Sequence, residues 1–226
     1  MALFDTFAKN YDNFYFSKLG SFVDSVEKEL IETMADFKQG ETVLDIGSGT
    51  GTYSIWMANK DLQVTAIDQS TEMSKIAKDK AEKEKVNIDW KIADAHSLPF
   101  ANETFELVIS VTAIEFMENP KAVLSEAFRV LKPGGRLVIG VLAKESPWGE
   151  LYQKLGQDPN NLFTQAHLYT EEEISALLPY PYRLRKGLYH PPVEEFDLLN
   201  AKQTEKEKQE NQAEGAGFFV IRWDKE

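Results

Sequence analysis

Val43-Leu44-Asp45-Ile46-Gly47-Ser48-Gly49-Thr50-Gly51 reads as a buried strand that runs into a loop with almost no side chains. Glycine accepts the positive φ values of a tight turn and lets the main chain approach a ligand closely. The apolar run that follows, Ile55, Trp56, Met57 and Ala58, predicts a helix, so the loop lies at a helix N-terminus. A nucleotide fits against such a backbone. About 20 residues further on, a second strand-like run, Val64, Thr65, Ala66 and Ile67, ends in Asp68, spaced to accept hydrogen bonds from ribose hydroxyls.

Strand and helix signals alternate from residue 42 to about residue 143, which predicts a parallel sheet with helices on both faces. Further strands are expected at Ile88 to Ile92, Leu107 to Val111, Leu137 to Leu142, Tyr182 to Tyr189 and Gly217 to Trp223. Met73, Ile76, Ala77 and Ala81 form one helical stripe, and Val123, Leu124, Ala127, Phe128 and Leu131 another. The second is punctuated by an Asn119 cap, Pro120 at its first position and a Lys132-Pro133-Gly134-Gly135 stop. Residues 3 to 36 read as mostly helical, with Phe22, Val23, Val26, Leu30 and Met34 on one face. Thr170 with Glu173 predicts a capping box for a helix through Leu178. The run from Lys202 to Glu210 is expected to be a solvated helix face or a mobile loop.

Composition narrows the function. The 226 residues are 42% hydrophobic and 27% charged, as in ordinary globular chains. No apolar run approaches the ~20 residues that span a bilayer, and no basic leader opens the chain, so a cytoplasmic protein without membrane insertion is expected. Without cysteine there is no disulfide, thiol nucleophile or thiolate metal site, and His96, His167 and His190 are too scattered for metal ligands. A formal charge of -12 disfavours a nucleic-acid partner, since the one basic cluster, Arg183, Arg185 and Lys186, is small. Nothing in the chain speaks to oligomeric state.

Four motifs stand in order: VLDIGSGTG at 43 to 51, AIDQS at 66 to 70, ADAHSLPF at 93 to 100 and LKPGGRLVIG at 131 to 140. With them the chain resembles the class I S-adenosylmethionine-dependent methyltransferases, in the small-molecule group that includes the ubiquinone and menaquinone biosynthesis methyltransferases. The opening Phe4, Ala8, Tyr11 and Asp12 is similar to that group's N-terminal lid. The resemblance implies an α/β, Rossmann-like fold of seven mostly parallel strands with helices on both faces, the last strand antiparallel, and a helical lid. It implies one domain over 1–226: lid 1–38, donor-binding core 39–143, acceptor-side insertion 144–180 and C-terminal strands 181–226. It further implies that Asp45, Gly47, Ser48, Gly49 and Gly51 hold the amino-acid end of S-adenosylmethionine and Asp68 the ribose. Asp94 and the Ala95 amide would read the adenine, a carboxylate accepting from the exocyclic amine and an N–H serving the ring nitrogen. Tyr11 and Thr112 complete the donor set. Gln69 stands where relatives often carry an apolar residue over the adenine, and Met73 can cover the same face.

The acceptor is expected to be a small molecule. Tyr11, Phe14, Tyr15 and Phe16 lie on the lid, and Trp148 and Tyr152 begin the insertion, where aromatic faces hold an apolar acceptor or favour the sulfonium. Phe14, Trp148 and Tyr152 are the substrate candidates; ordinary lid core is the other reading. Glu115, just beyond the fourth strand, is the candidate base for an oxygen or nitrogen acceptor, with a helix cap as its plainer reading. His96 and His167 are further acid-base candidates. Two rivals are a donor-binding sensor or partner subunit without catalysis, and an NAD(P)-dependent oxidoreductase. Against the oxidoreductase, Asp45 would face a dianionic pyrophosphate, and Thr52 occupies the place of the fingerprint's third glycine.

Overall fold

The computed structural model describes residues 2–226. The chain folds as seven strands, β1 Thr42–Ile46, β2 Gln63–Asp68, β3 Asp89–Ile92, β4 Phe105–Val111, β5 Leu131–Leu142, β6 Tyr182–Gly187 and β7 Phe218–Asp224, in one sheet. Their order is β3-β2-β1-β4-β5-β7-β6. β1 pairs in parallel with both β2 and β4, and β7 runs antiparallel to both its neighbours. The chain therefore starts mid-sheet, steps outward to β3, then crosses β1 to begin β4. Loops leaving the carboxyl ends of β1 and β4 diverge there and leave a crevice.

Alternation along the strands feeds two cores, one on each face. Leu44, Ile46 and Val108 face the side covered by α4 (Pro120–Val130) and α6 (Glu171–Ser175). Val43, Leu107 and Ile109 face the side covered by α1 (Lys18–Ala35) and α2 (Thr52–Ala58). The remaining helices are α3 (Thr71–Glu84), α5 (Pro147–Leu155) and α7 (Leu198–Glu210). No helix among the described residues is long and apolar enough to cross a membrane.

The structure redraws several expected boundaries. The opening helix is two 3-10 segments, Leu3–Thr6 and Ala8–Phe16, followed by α1. Ser17 caps α1 by accepting from the Gly20 N–H at 2.9 Å, and a Cβ on Gly20 would stand 1.9 Å from the Phe14 carbonyl, so only glycine lets the segment fold back this tightly. The Lys132–Gly135 turn lies within β5 as an irregular start: Leu131 pairs with Phe105 before the register shifts, and Lys225 bonds to Gly134 and Gly135. The Thr170–Glu173 capping box forms, but α6 ends at Ser175 rather than Leu178. α7 is a helix with a buried side. Glu205 accepts the Leu188 and Tyr189 N–H groups at 2.7 Å each, taking up donors where β6 has ended.

A buried ion pair ties the start of the sheet together. Arg136 on β5 forks onto both oxygens of Glu41, at 2.9 and 2.6 Å, and also donates to the Ala35 and Asp36 carbonyls at the end of α1. Both side chains are 5% exposed, so removing one partner leaves an uncompensated buried charge. Glu41→Gln should cost about 3–5 kcal/mol in urea unfolding, and the double change Glu41→Leu with Arg136→Met should recover part of that. A loss below about 1 kcal/mol would show the pair to be solvated.

Candidate functional site

The crevice at the ends of β1 and β4 holds a cavity of about 470 Å³. Its floor is the loop after β1. The Gly47 and Ser48 N–H groups donate to the Ile67 carbonyl at 2.9 and 3.0 Å, which pins the loop to β2. Gly49, at φ 52°, has open space where a Cβ would be, and its N–H donates to Asp68 Oδ2 at 2.8 Å. Asp68 Oδ1 accepts the Ser70 N–H at 2.8 Å. Burial raises the pKa of Asp68 against those bonds. Asp45, at the end of β1, accepts from Ser54 Oγ at 2.5 Å, and burial pushes its carboxyl up to about 7. Ser48 Oγ is buried on the cavity wall with no partner.

Beyond β3, Asp94 Oδ1 gathers the His96 N–H (2.9 Å), His96 Nδ1 (2.7 Å) and Gln69 Nε2 (3.1 Å). The His96 bonds hold its carboxyl below the ordinary range. Ala95 and Met73, both buried, line the cavity beside it. Thr112 closes the β4 side at φ 47°, a strained placement for a β-branched residue and of the kind that clusters at ligand sites.

The N-terminal segment roofs the cavity with Ala2, Leu3, Phe4, Tyr11 and Tyr15. Two acids fasten it. Asp5 accepts from Ser70 Oγ at 2.6 Å; Asp12 accepts from Thr50 Oγ1 at 2.6 Å and Lys80 Nζ at 2.8 Å. Phe4 stands edge-on to Phe116 at 4.9 Å. Tyr11 is half-buried with its hydroxyl end enclosed, and that desolvation pushes the hydroxyl up to about 12 against a hydrogen bond with Thr112.

Of the expected donor set, Tyr11, Asp45, Gly47, Ser48, Gly49, Asp68, Gln69, Met73, Asp94, Ala95 and Thr112 all border this cavity. Gly51 does not; at φ 82° it lets α2 approach α3 and β3, where a Cβ would meet the Trp90 ring at 2.8 Å. The acceptor candidates fall elsewhere. Trp148 is buried behind Phe14 and donates to the His190 carbonyl, Tyr152 stacks on Phe163, and Phe14 is half exposed, so none of the three borders the cavity. Phe16 points outward, and His167 sits at the surface 3.8 Å from Glu173.

Glu115 is 1% exposed and also stands off the cavity wall. Its Oε1 accepts the Leu142 N–H at 2.8 Å, where β5 is leaving the sheet, and burial raises its pKa to about 7. The plainer reading, a cap or surface residue of the next helix, does not describe it, because it is buried and the N–H it accepts belongs to β5. One aromatic on the cavity wall and the acid behind it were missed. Tyr53, in the first turn of α2, borders it and donates to Glu27 Oε2 at 2.8 Å. Glu27 lies four residues from Val23 and Ile31 on the apolar face of α1, and that interruption was the available signal.

The comparisons agree with this geometry. A profile described as a methyltransferase domain matches residues 44–139. An uncharacterized protein of Methanocaldococcus jannaschii is 32% identical over 179 residues, covering 79% of each chain. A demethylmenaquinone methyltransferase of Tropheryma whipplei is 39% identical over 100 residues, 44% of this chain, which spans only 41% of that enzyme's length. A solved S-adenosylmethionine-dependent methyltransferase from Thermotoga maritima, described as a possible histamine N-methyltransferase, superimposes with a TM-score of 0.75 over 99% of this chain and 98% of its own at 23% identity, a likeness of fold. The chain belongs to the class I S-adenosylmethionine-dependent methyltransferases. S-adenosylmethionine is the methyl donor of that class, and the open Gly49 cradle, the Ser48 hydroxyl without a partner among the described residues and the acids of both strand ends fit it.

Burial also sets a pH dependence. Glu27, Asp45 and Glu115 have folded pKa values raised to about 8, 7 and 7, so the folded state holds more protons than the unfolded one from the ordinary carboxyl range upward. Their contribution is full below about pH 4 and is lost as pH rises through the folded values. His190, whose pKa burial lowers, acts in the opposite sense and is removed by comparison with a variant. The stability of wild type minus that of Glu27→Gln, from urea unfolding, should fall between about pH 5 and about pH 8. A flat difference would show that Glu27 is ordinarily solvated.

Proposed function

We propose that this enzyme methylates a small-molecule acceptor enclosed beneath the N-terminal segment, acting in the cytoplasm. The observation that carries the reading is one continuous cavity, bordered at one end by Asp94 and Ala95, in the middle by Asp68 and the Gly47–Gly49 loop, and at the other end by Tyr11, Tyr15 and Tyr53. Bound there, S-adenosylmethionine supplies a methyl group already activated on a sulfonium, so transfer by in-line displacement asks the protein mainly for position.

Each residue's part follows from its place. Asp94, through the oxygen not engaged by His96 and Gln69, and the Ala95 amide would read the adenine, with Met73 against its face. Asp68 would accept from the ribose, and Asp45, Ser48 and the loop amides would hold the amino-acid end. Tyr11 and Thr112 would border the reacting end. Drawn over bound ligands, the roof would exclude water, and its aromatic lining suits a compact acceptor. A phosphate-rich acceptor is opposed by the acidic surface.

Calorimetric titration should show S-adenosylmethionine and S-adenosylhomocysteine each binding one site per chain, with NAD inert. Asp68→Ala should weaken both by about 1.5–3 kcal/mol, as loss of a charged acceptor does. NAD binding in that site, or wild-type affinity in the variant, would overturn the assignment. Asp12→Ala, which frees the segment from both Thr50 and Lys80, should speed S-adenosylhomocysteine release in stopped flow while costing no more than about 1 kcal/mol of global stability. Unchanged release would mean that the segment does not gate the donor.

A further inference from the structure

We propose that the end of the cavity bordered by Tyr11, Tyr15 and Tyr53 is a subsite for a basic nitrogen, with Glu27 behind the Tyr53 hydroxyl as its counter-charge, so that the acceptor is a small amine. This rests on the methyltransferase reading above and names the substrate class of the same site. Asp94 and Ala95 follow β3, whereas the Tyr11 hydroxyl bonds with Thr112 just after β4, and β2 and β1 lie between those two strands.

Three observations converge. The first is what borders the cavity: among the described residues it has Asp45, Asp68, Asp94 and Glu118, neither lysine nor arginine, and one imidazole, His96, which is engaged by Asp94 at 2.7 Å. Lys80, the near cation, is already paired with Asp12. An acceptor carrying a carboxylate or phosphate would be buried without a partner, at a cost of several kcal/mol. The second is the ring set. Three tyrosines converge at one end of the cavity, and aromatic faces attract a cation electrostatically, more strongly when it is desolvated.

The third is an acid surplus behind those rings. Glu27 is 4% exposed and, among the described residues, bonds only to the Tyr53 hydroxyl. Burial is the main cause of its raised pKa; Asp24 and Glu115 push the same way, and Lys28, the one opposing cation, is bound to Asp24 at 2.7 Å. Glu115 Oε2 is buried without a hydrogen-bond partner, and its charge acts on Tyr11, Tyr152 and Glu27 together. A protein that buries carboxyls around one chamber whose nearby bases are already paired with other acids gains most from a ligand that brings the positive charge. A neutral phenol or alcohol offers these groups no such compensation.

The test uses binding, with the full chain saturated by S-adenosylhomocysteine. The probes are matched sets sharing one apolar body and differing in the end group, such as phenethylamine, 2-phenylethanol and phenylacetate, together with alkyl sets of similar size. Amines should bind at least about tenfold more tightly than the matching alcohols, with the acids inert. Glu27→Gln, and independently Tyr53→Phe, should reduce that preference about tenfold or more while S-adenosylhomocysteine affinity stays at the wild-type value. Equal binding of alcohol or acid, an amine preference that survives both substitutions, or no binding by any amine overturns the proposal while the donor reading stands. Failure of S-adenosylhomocysteine itself to bind the wild type would instead strike the donor reading, and this proposal with it.

Discussion

One carboxylate organises the site. Asp68, at the end of β2, accepts a backbone N–H from each of two different loops, Gly49 after β1 and Ser70 after β2. A buried charge is tolerated only where hydrogen bonds satisfy it, so these two bonds both stabilise Asp68 and fix the loops relative to each other. Ser70 extends the arrangement in two directions, accepting the Met73 N–H as the cap of α3 and donating to Asp5. The floor, one wall and the roof of the cavity therefore share a single electrostatic anchor. The parallel pairing of β1 with β2 puts that anchor beside the glycine loop, and the crossover to β4 leaves the space above it open.

The same economy explains where acids are found. Glu115 takes up the Leu142 N–H at the exit of β5, and Glu205 takes up Leu188 and Tyr189 beyond β6. In both places a strand leaves the sheet before its donors have found backbone partners, and a carboxylate from a distant element supplies them. Arg136 does the converse at the opposite end of the strands, giving its donors to the last carbonyls of α1 and to Glu41. Side chains finish the hydrogen bonding that the sheet itself leaves incomplete.

What could be read from sequence was whatever is local or periodic. The glycine loop, Asp68 at its spacing, the Asn119 cap and the Thr170 box involve neighbours along the chain or a repeat of 2 or 3.6 residues. Glu115 shows the limit. Its position after the fourth strand was legible, but its direction depends on the Leu142 N–H, 27 residues away. Trp148 looked like a pocket aromatic because it begins the insertion in which relatives build their acceptor site; its indole N–H donates to the His190 carbonyl, 42 residues away. Glu27 was hidden within an apolar stripe, since nothing local says that Tyr53 will lie against it. The segment from Lys202 reads as polar all round, and only the free amides at Leu188 and Tyr189 draw one of its glutamates inward.

The roof is fastened to the donor-binding elements themselves, Asp5 to the cap of α3 and Asp12 to Thr50 in the glycine loop. Ordering the roof and filling the donor site are therefore linked equilibria, and linkage is reciprocal: whatever factor the closed roof adds to donor affinity, the donor adds to closure. An acceptor held under the same roof inherits that coupling without touching the donor. Cooperation between two ligands then needs no relay through the sheet, only a shared cover that each finds easier to close once the other is in place.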